Sequence, residues 1–224
     1  MKTGDGSTDA KRRAGESAAD LVADGDVVGL GTGTTAAHAI RALGAADRSL
    51  TGVPTSFQAR DLAREVGLPL AALDEVDGVD VAIDGADQVS DAGALLKGGG
   101  AAHAREKVVA AAAERVVVVV DPSKETETLD RPVPVSVSPD ARRPVAEAVE
   151  AVGGEPTLRR AEHKDGPVVT DDGALVLDCD FGVIDDPESL SRTLSTTPGV
   201  VEHGLFVGLA DEIHVGTASG VRVR

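Results

Sequence analysis

The chain has one cysteine and almost no aromatic residues, and both shortages exclude classes of protein. Its 224 residues contain one Cys, three Phe, no Trp and no Tyr. Cys179 has no second cysteine with which to form an intramolecular disulfide, so a disulfide-stapled small protein is excluded. Aromatic platforms on which nucleic-acid bases could stack are missing. The core must therefore be built from Val, Leu, Ile and Ala.

Basic residues are also scarce. Lys and Arg number 22 against 38 Asp and Glu, which gives a formal net charge of −16 at pH 7. Such a chain repels phosphate backbones, so we exclude nucleic acid as a partner. The shortage of lysine together with the excess of aspartate favours a surface adapted to high salt, where screening relieves self-repulsion. Simple acidity for solubility is the alternative.

Long apolar runs are missing as well. No stretch approaches the ~18 uncharged apolar residues that span a membrane, and the first twenty residues lack the apolar segment of a signal peptide. The hydrophobic fraction of 42% is nevertheless typical of a folded globular chain. We expect a cytoplasmic protein with no membrane partner.

Short β-branched runs alternate with helical patterns in the first half of the chain. The predicted strands cover residues 27–30, 50–53, 79–83 and 116–120, and the predicted helices cover residues 35–43, 57–66 and 101–113. Strands that alternate with helices pair in parallel through right-handed crossovers. The sequence therefore predicts an α/β fold with a doubly wound, mostly parallel sheet.

The pattern changes after residue 124 into short strands with two helices. The predicted strands cover residues 131–137, 156–160, 168–170 and 174–178, with an Asp-Asp-Gly turn before the last, and the predicted helices cover residues 139–152 and 187–194. This pattern indicates a smaller α+β domain over residues 129–204, inserted into a catalytic domain made of residues 1–128 and 205–224. A final strand over residues 212–215 would return to the first sheet.

A segment rich in glycine and threonine, residues 29–35, runs from the first strand into a helix. Glycines let the backbone approach an anion, and the helix N-terminus supplies N–H groups and partial positive charge. A phosphate or another small anion is the natural ligand, although a turn without a ligand has the same composition. A dinucleotide site is disfavoured because the third glycine of its motif would fall at Thr34, and the second strand ends in Pro54-Thr55-Ser56 instead of an acid.

Two carboxylates follow the third predicted strand, in Asp84-Gly85-Ala86-Asp87-Gln88. They are suited to handle sugar hydroxyls or protons. Asp and Gly are also common turn residues, and a divalent metal held with Asp91 is a further alternative. The histidines, however, show no ligand spacing.

Lys97 and three consecutive glycines precede the helix predicted over residues 101–113. Ordering three glycines costs much conformational entropy, so the backbone there must approach something closely or move. We call residues 97–100 the triple-glycine loop.

The helix after this loop places its charged residues on two sides. His103, Lys107 and Glu114 fall on one side and predict a solvated stripe. Glu106 lies instead with Val109 on an apolar face, where desolvation moves a carboxylate towards the pKa range of a general base. An ion pair with Arg105 is the structural alternative.

Taken together, these segments resemble a known family. The motifs are GLGTGTTAAHAI, VPTSFQAR, DVAIDGADQV, LLKGGGAAHAREKVVA, VVVVDPSK and GLADEIHVG. In this order they resemble the A-type ribose-5-phosphate isomerases. The resemblance implies an aldose–ketose isomerase of the non-oxidative pentose phosphate pathway, which interconverts ribose 5-phosphate and ribulose 5-phosphate without a metal or other cofactor. It also implies a Rossmann-like large domain and a homodimer or homotetramer.

The resemblance assigns roles to particular residues. Glu106 is the general base, which moves a proton between C2 and C1 through a cis-enediolate. The other implied catalytic residues are Asp84, Asp87 and Lys97, and Asp84 assists ring opening. The implied substrate-binding residues are Lys11, Thr32, Gly33, Thr34 and Thr35 at the phosphate, and Gly85, Ala86, Gly98, Gly99, Gly100 and Lys124 along the rest of the substrate.

Two positions depart from the family pattern. Gln88 stands where Glu is usual, which leaves an acid role there in doubt, and His103 occupies a position that is more often apolar. A non-catalytic sugar-phosphate sensor is the competing function, but only about twenty-five residues precede the first strand, too few for a helix-turn-helix. An acyl or CoA transferase would need a CoA motif that we do not find.

Overall fold

The computed structural model describes residues 7–224. Its helices are α1 (Thr8–Ala19), α2 (Ala36–Ala45), α3 (Phe57–Glu65), α4 (His103–Ala111), α5 (Arg142–Ala151) and α6 (Pro187–Ser195). Its strands are β1 (Val27–Leu30), β2 (Thr51–Pro54), β3 (Val79–Asp84), β4 (Gln88–Ser90), β5 (Leu95–Leu96), β6 (Ala113–Val120), β7 (Glu125–Thr126), β8 (Val133–Val137), β9 (Glu155–Leu158), β10 (Leu175–Asp180), β11 (Val200–His203), β12 (Leu205–Phe206), β13 (Glu212–Gly216) and β14 (Val221–Val223). None of the helices within residues 7–224 is long and apolar enough to span a membrane.

The chain groups into two compact units, which we describe separately. Unit 1 comprises Met1–Ala86, Arg105–Glu125 and Gly208–Arg224, and unit 2 comprises Asp87–Ala104 and Thr126–Val207. The small domain predicted over residues 129–204 falls inside unit 2. Residues 87–104, which the sequence assigns to the larger domain, group with unit 2 as well. Residues 1–6 of the predicted larger domain lie outside the described part of the chain.

Unit 1 contains a six-stranded sheet in the order β14-β13-β6-β3-β1-β2. Strands β2, β1, β3, β6 and β13 are parallel to their neighbours, and only the edge strand β14 runs antiparallel, against β13. The last five residues of β6 are all buried valines, as expected for a parallel strand covered on both faces. The predicted doubly wound sheet is confirmed, including the return of the chain to it at Glu212–Gly216.

Small residues let the first helix pack closely in unit 1. A Cβ on Gly15 of α1 would lie 2.7 Å from the backbone nitrogen of Ala39 in α2, so only glycine allows this approach. On the other side, His214 of β13 contacts the Ser17 hydroxyl of α1 through Nδ1 at 2.9 Å. Helix α1 is thus fixed against both α2 and the sheet.

Unit 2 is built from two four-stranded sheets, ordered β11-β8-β10-β9 and β12-β5-β4-β7. Its apolar core contains Val133, Val135, Val137 and Leu177, with Cys179 among them. The predicted strand over residues 168–170 is wrong, because only an isolated bridge between Val169 and Leu175 forms there. The predicted Asp-Asp-Gly turn is confirmed, with Gly173 at a φ of +86°.

Candidate active site

The strand order of unit 1 reverses between β1 and β3, and the segments with unusual sequences begin at this edge. The chain moves outwards from β1 to β2 and then returns to place β3 on the other side of β1. In open α/β sheets, ligands bind outside the carboxyl ends of the strands at such a reversal. The loop of residues 31–35, which we call the Gly-Thr loop, follows β1, and Asp84 ends β3.

The Asp84 carboxylate joins the Gly-Thr loop to the segment that follows β3. Its Oδ1 accepts the backbone N–H groups of Thr32 at 2.9 Å and of Gly85 at 2.7 Å. A Cβ on Gly31 would lie 2.2 Å from this oxygen, so a side chain at position 31 would exclude the carboxylate. Asp84 is 8% exposed and held at a fixed position beside the Gly-Thr loop.

A cluster of hydroxyl groups holds the other side of the Gly-Thr loop through hydrogen bonds. The Thr32 hydroxyl donates to Ser56 Oγ at 2.7 Å and lies 3.0 Å from Thr55 Oγ1. Ser56 also caps α3, accepting the Ala59 N–H at 3.1 Å. The sequence, through its family resemblance, predicts Thr32 as a phosphate ligand but assigns no role to Thr55 and Ser56. Their position directly after a strand was the available signal.

The Gly-Thr loop leads to a helix N-terminus that its own side chain does not cap. Within residues 7–224, Thr35 occupies the N-cap position of α2 and makes no side-chain hydrogen bond to the helix. The first N–H groups of a helix attract anions. In α2, those of Ala37 and His38 donate to the Gly33 and Thr35 carbonyls, both at 3.0 Å. Gly33 has a φ of +107°, with open space where a Cβ would lie, and Thr34 is exposed. This edge of unit 1 can therefore receive a phosphate.

Lys11 brings a positive charge to the same helix N-terminus. It lies one turn before Gly15 on α1, on the face that packs against His38 and Ala39 at the start of α2. Burial lowers the pKa of His38, and the positive charges of Arg41, Arg12 and Lys11 add to this effect while Glu16 opposes it. The charge of Lys11 thus acts on His38 in the first turn of α2, and the role of Lys11 at the phosphate stays a prediction.

Glu106 is buried, as its place on an apolar helix face predicts. It is 5% exposed. Val109, one turn later on α4, packs against Gly29 of β1, where a Cβ would lie 2.7 Å from Val109 Cγ1. Because α4 leads into β6 and β6 is parallel to its neighbours, the N-terminal end of α4 points to the carboxyl ends of the strands. Glu106 therefore lies nearer than Val109 to the edge that carries the Gly-Thr loop.

Lys124 follows β6 in a short 3-10 turn formed by Pro122–Lys124. The fully buried Asp121 shapes this turn, since its Oδ1 accepts the Ser123 N–H at 2.9 Å and its carbonyl accepts the Lys124 N–H at 3.0 Å. Lys124 is thus held at the carboxyl end of the strand that pairs with β3.

In unit 2, Asp87 contacts the triple-glycine loop. Its Oδ2 accepts the Gly99 N–H at 2.8 Å, and a Cβ on Gly99 would lie 2.9 Å from Asp87 Oδ1. The Lys97 N–H donates to the Gly204 carbonyl at 2.8 Å, and the Lys97 ammonium lies 5.4 Å from the centre of the Phe206 ring. Lys97 is 5% exposed, so its ammonium is partly desolvated. The hydrogen bond to Gly204 fixes its backbone.

The predicted solvated stripe on α4 is wrong at His103. This residue is fully buried, and its Nε2 lies 2.9 Å from the hydroxyl of Ser136 in β8. A Cβ on Gly98 would lie 2.7 Å from His103 Nδ1. Helical periodicity alone could not show that another element covers this side of the helix.

The Gln88 side chain forms hydrogen bonds within unit 2. Its Oε1 accepts the backbone N–H groups of Asp130 and Arg131, both at 3.1 Å, and its Nε2 donates to Asp130 Oδ1 at 2.6 Å. The amide thus binds β4 to the chain around residue 130 and uses both of its polar ends to do so.

Two other kinds of chemistry find no support in the described residues. Between residues 7 and 224, no three His, Cys, Asp or Glu side chains cluster as metal ligands would. Burial, aided by the charge of Asp178, raises the pKa of the Cys179 thiol to about 12, which disfavours its nucleophilic thiolate form at neutral pH.

Comparison with known proteins agrees with this geometry. A family model described as ribose 5-phosphate isomerase A (phosphoriboisomerase A) matches residues 51–220. A protein of Halorubrum lacusprofundi named ribose-5-phosphate isomerase A is 67% identical over 239 residues, covering 100% of this chain and 99% of that protein.

Solved structures agree as well. Ribose 5-phosphate isomerase A from Methanocaldococcus jannaschii has a TM-score of 0.93 and 43% identity, covering 96% of this chain and 98% of that one. A D-ribose-5-phosphate isomerase in complex with phospho-erythronic acid has a TM-score of 0.92 and 41% identity, covering 96% of this chain and 97% of that one. The chain belongs to the ribose-5-phosphate isomerase A family.

Proposed function

We propose that the activity of this family, the interconversion of ribose 5-phosphate and ribulose 5-phosphate, depends in this chain on Glu106 as the general base. Glu106 removes the proton from C2 of the open-chain aldose to give a cis-enediolate and returns it to C1, while the proton of the C2 hydroxyl passes to O1, which gives the ketose. The observation that carries this proposal is the burial of a carboxylate on a rigid helix, at the end nearest the Gly-Thr loop. Such a group is shielded from water and positioned for proton transfer.

The Gly-Thr loop binds the phosphate in this proposal. The backbone of Gly33 and Thr34, the start of α2 at Thr35 and the charge of Lys11 together supply N–H donors and positive charge. The Thr32 hydroxyl is engaged with Ser56 and Thr55, so Thr32 contributes its fixed position more than a free donor.

The other predicted residues bind the sugar hydroxyls and stabilise the developing oxyanion. Asp84 assists ring opening, and Asp87 accepts a sugar hydroxyl, with Gly85 and Ala86 in the same segment. Lys97 and the backbone of Gly98, Gly99 and Gly100 stabilise the negative oxygen of the enediolate, and Lys124 contacts the substrate at the end of β6. Preorganised donors of this kind usually contribute a large part of the catalysis.

The solved relative in complex with phospho-erythronic acid supports this chemistry. That ligand carries a phosphate at one end and a planar carboxylate at the other, and the carboxylate resembles the planar, negatively charged enediolate. A site that binds this ligand needs anion donors for the phosphate, as we propose for the Gly-Thr loop, and further donors for the carboxylate. A sensor that only binds sugar phosphate is not favoured, because full-length relatives above 60% identity are named as isomerases.

We further propose that the chain works in the cytoplasm as a homodimer or homotetramer and requires no metal or other cofactor. The family resemblance supports the location and the oligomeric state. The lack of a metal requirement is supported by Asp84 and Asp87, whose carboxylates bind hydrogen-bond donors.

The direct test compares wild type, Glu106→Gln and the control Glu114→Gln in an assay for ribulose 5-phosphate. Glu114 is an exposed carboxylate just beyond α4. Loss of a general base should lower kcat by about 10²- to 10⁴-fold and change KM far less, while Glu114→Gln keeps wild-type values. Wild-type activity should also survive exhaustive chelation of metals. A folded Glu106→Gln protein with more than about a tenth of wild-type kcat would contradict the role of Glu106.

A further inference from the structure

The triple-glycine loop of unit 2 has a backbone that needs support from outside. Gly98 has a φ of +103°, and Ala101, just after the loop, has a φ of +58° although it is not glycine. A left-handed conformation is unfavourable at a residue with a Cβ, and ordering three glycines costs further entropy. Other elements must therefore hold the loop in one conformation.

Arg159 contacts this loop through its carbonyl groups. Its Nη1 donates to the Gly98 carbonyl at 2.8 Å and approaches the Gly99 carbonyl at 3.4 Å. The Gly99 N–H, which belongs to the same peptide group as the Gly98 carbonyl, donates to the Asp87 carboxylate at 2.8 Å. The loop is thus bound by a cation at its carbonyls and by an anion at an amide.

Arg159 is itself held rigidly. Its Nε donates to Asp178 Oδ2 at 2.8 Å, and its Nη2 pairs with the other oxygen of that carboxylate. Its backbone extends the ladder of β9 and β10, donating to the Val176 carbonyl and accepting from the Val168 N–H, both at 2.9 Å. Its side chain is only 17% exposed. A two-point pair of this kind fixes the plane of the guanidinium, which a lysine could not do.

We propose that Arg159, oriented by Asp178, is a positioning residue for the isomerisation. It fixes the triple-glycine loop and polarises the peptide groups whose carbonyls it contacts. A hydrogen bond to a peptide carbonyl strengthens the N–H of the same peptide as a donor. The peptides in question carry the N–H group of Gly99, which binds Asp87, and that of Gly100, which is the donor proposed for the oxyanion. This inference rests on the oxyanion role proposed above for that loop.

A purely structural role is the alternative, in which the pair of Arg159 and Asp178 only joins β9 to β10. The two roles differ in what they change. A structural pair affects the stability of the fold and leaves the folded enzyme unchanged. A positioning residue changes kcat and the affinity for a mimic of the enediolate in protein that is fully folded.

The experiment compares Arg159→Ala with the control Arg160→Ala, which removes the same charge from the exposed neighbouring residue. We expect the folded Arg159→Ala protein to lose at least about fivefold in kcat with KM changed by less than about threefold, because misplaced transition-state donors act on kcat. Its affinity for phospho-erythronic acid should fall by a similar factor. Arg160→Ala should match wild type in both measurements.

A folded Arg159→Ala protein that loses less than fivefold in kcat, or no more than Arg160→Ala, would overturn the inference. So would unchanged affinity for phospho-erythronic acid. If Arg159→Ala does not fold, Arg159→Lys is judged by the same thresholds, because lysine keeps the charge but not the planar fork. Lys97→Ala separates the two proposals: if it keeps wild-type kcat, the oxyanion role of the loop fails, whereas an inactive Lys97→Ala with a fully active Arg159→Ala refutes the role of Arg159 alone.

Discussion

Gln88 illustrates how a single buried amide can be required where a carboxylate of the same shape would not fit. Its two polar ends match their partners, since the oxygen faces two N–H donors and the nitrogen faces the Asp130 carboxylate at 2.6 Å. In Gln88→Glu the nitrogen becomes an oxygen, and two carboxylates meet at a position that is 5% exposed. We expect a loss of about 1–3 kcal/mol in the free energy of unfolding at pH 7.

The pH dependence of this loss identifies its cause. Repulsion raises the pKa of one of the two carboxyls in the folded state, so the destabilisation is present at neutral pH and disappears as the pH falls below that raised pKa. Denaturant unfolding at several pH values measures it. The double variant Gln88→Glu with Asp130→Asn, which restores one amide to the pair, should recover most of the loss. Equal losses at all pH values would contradict the argument from charge.

Single residues also show which parts of the site a sequence can predict. The burial of Glu106 was predictable because helical periodicity placed it with Val109, and that face does pack on the sheet. His103 was predicted wrongly because the same periodicity cannot show that Ser136, more than thirty residues later, covers the opposite side. Arg159 gave no signal at all, since its role depends on a loop sixty residues away in sequence.

At the scale of elements, the Gly-Thr loop predicts a measurable difference between two glycines. Gly33 and Gly25 both have positive φ, at +107° and +93°, and both have open space where a Cβ would lie. Alanine at either position costs similar backbone strain, about 1 kcal/mol. Gly25 precedes β1, at the opposite end of the strand from the Gly-Thr loop. Only Gly33→Ala adds a methyl group to the proposed phosphate site.

We therefore expect Gly33→Ala to raise KM for ribose 5-phosphate by about tenfold or more, a loss of about 1.4 kcal/mol in binding. Gly25→Ala should leave KM unchanged, and the two melting temperatures should fall by similar amounts. Ribose without its phosphate should be a poor substrate for the wild type. If the two variants have the same KM, or if free ribose reacts as well as its phosphate, the loop does not bind the phosphate.

The fold itself was predictable where strands are long and apolar. The valine run of β6 and the strands β1 and β3 follow from composition, since a parallel strand covered on both faces reads as a continuous apolar run. The short strands β4, β5 and β12 were not predictable, because two or three residues carry no periodicity. These strands place residues 87–104 in unit 2, and this grouping depends on pairing with Leu205–Phe206, more than a hundred residues away.

Because the whole molecule is strongly acidic, added salt has two opposite effects on its stability. The net charge of −16 means that most carboxylates repel one another, and screening relieves this repulsion. Screening also weakens ion pairs, such as Arg12 with Glu16 and Arg143 with Glu147. These pairs lie on the surface, where each contributes about 1 kcal/mol at most. With 38 acidic against 22 basic residues, the relief of repulsion should exceed the loss of ion pairs.

We therefore expect the protein to become more stable as salt is added. The Debye length falls from about 10 Å at 0.1 M to about 3 Å at 1 M salt, so most of the gain should come within this range. Thermal melts in KCl measure it, and melts in NaCl at equal ionic strength separate screening from specific ion binding, since screening depends on ionic strength alone. Isomerase activity should rise over the same range because the folded fraction rises. A melting temperature that stays constant or falls as KCl is added would show that the acidic surface serves solubility instead.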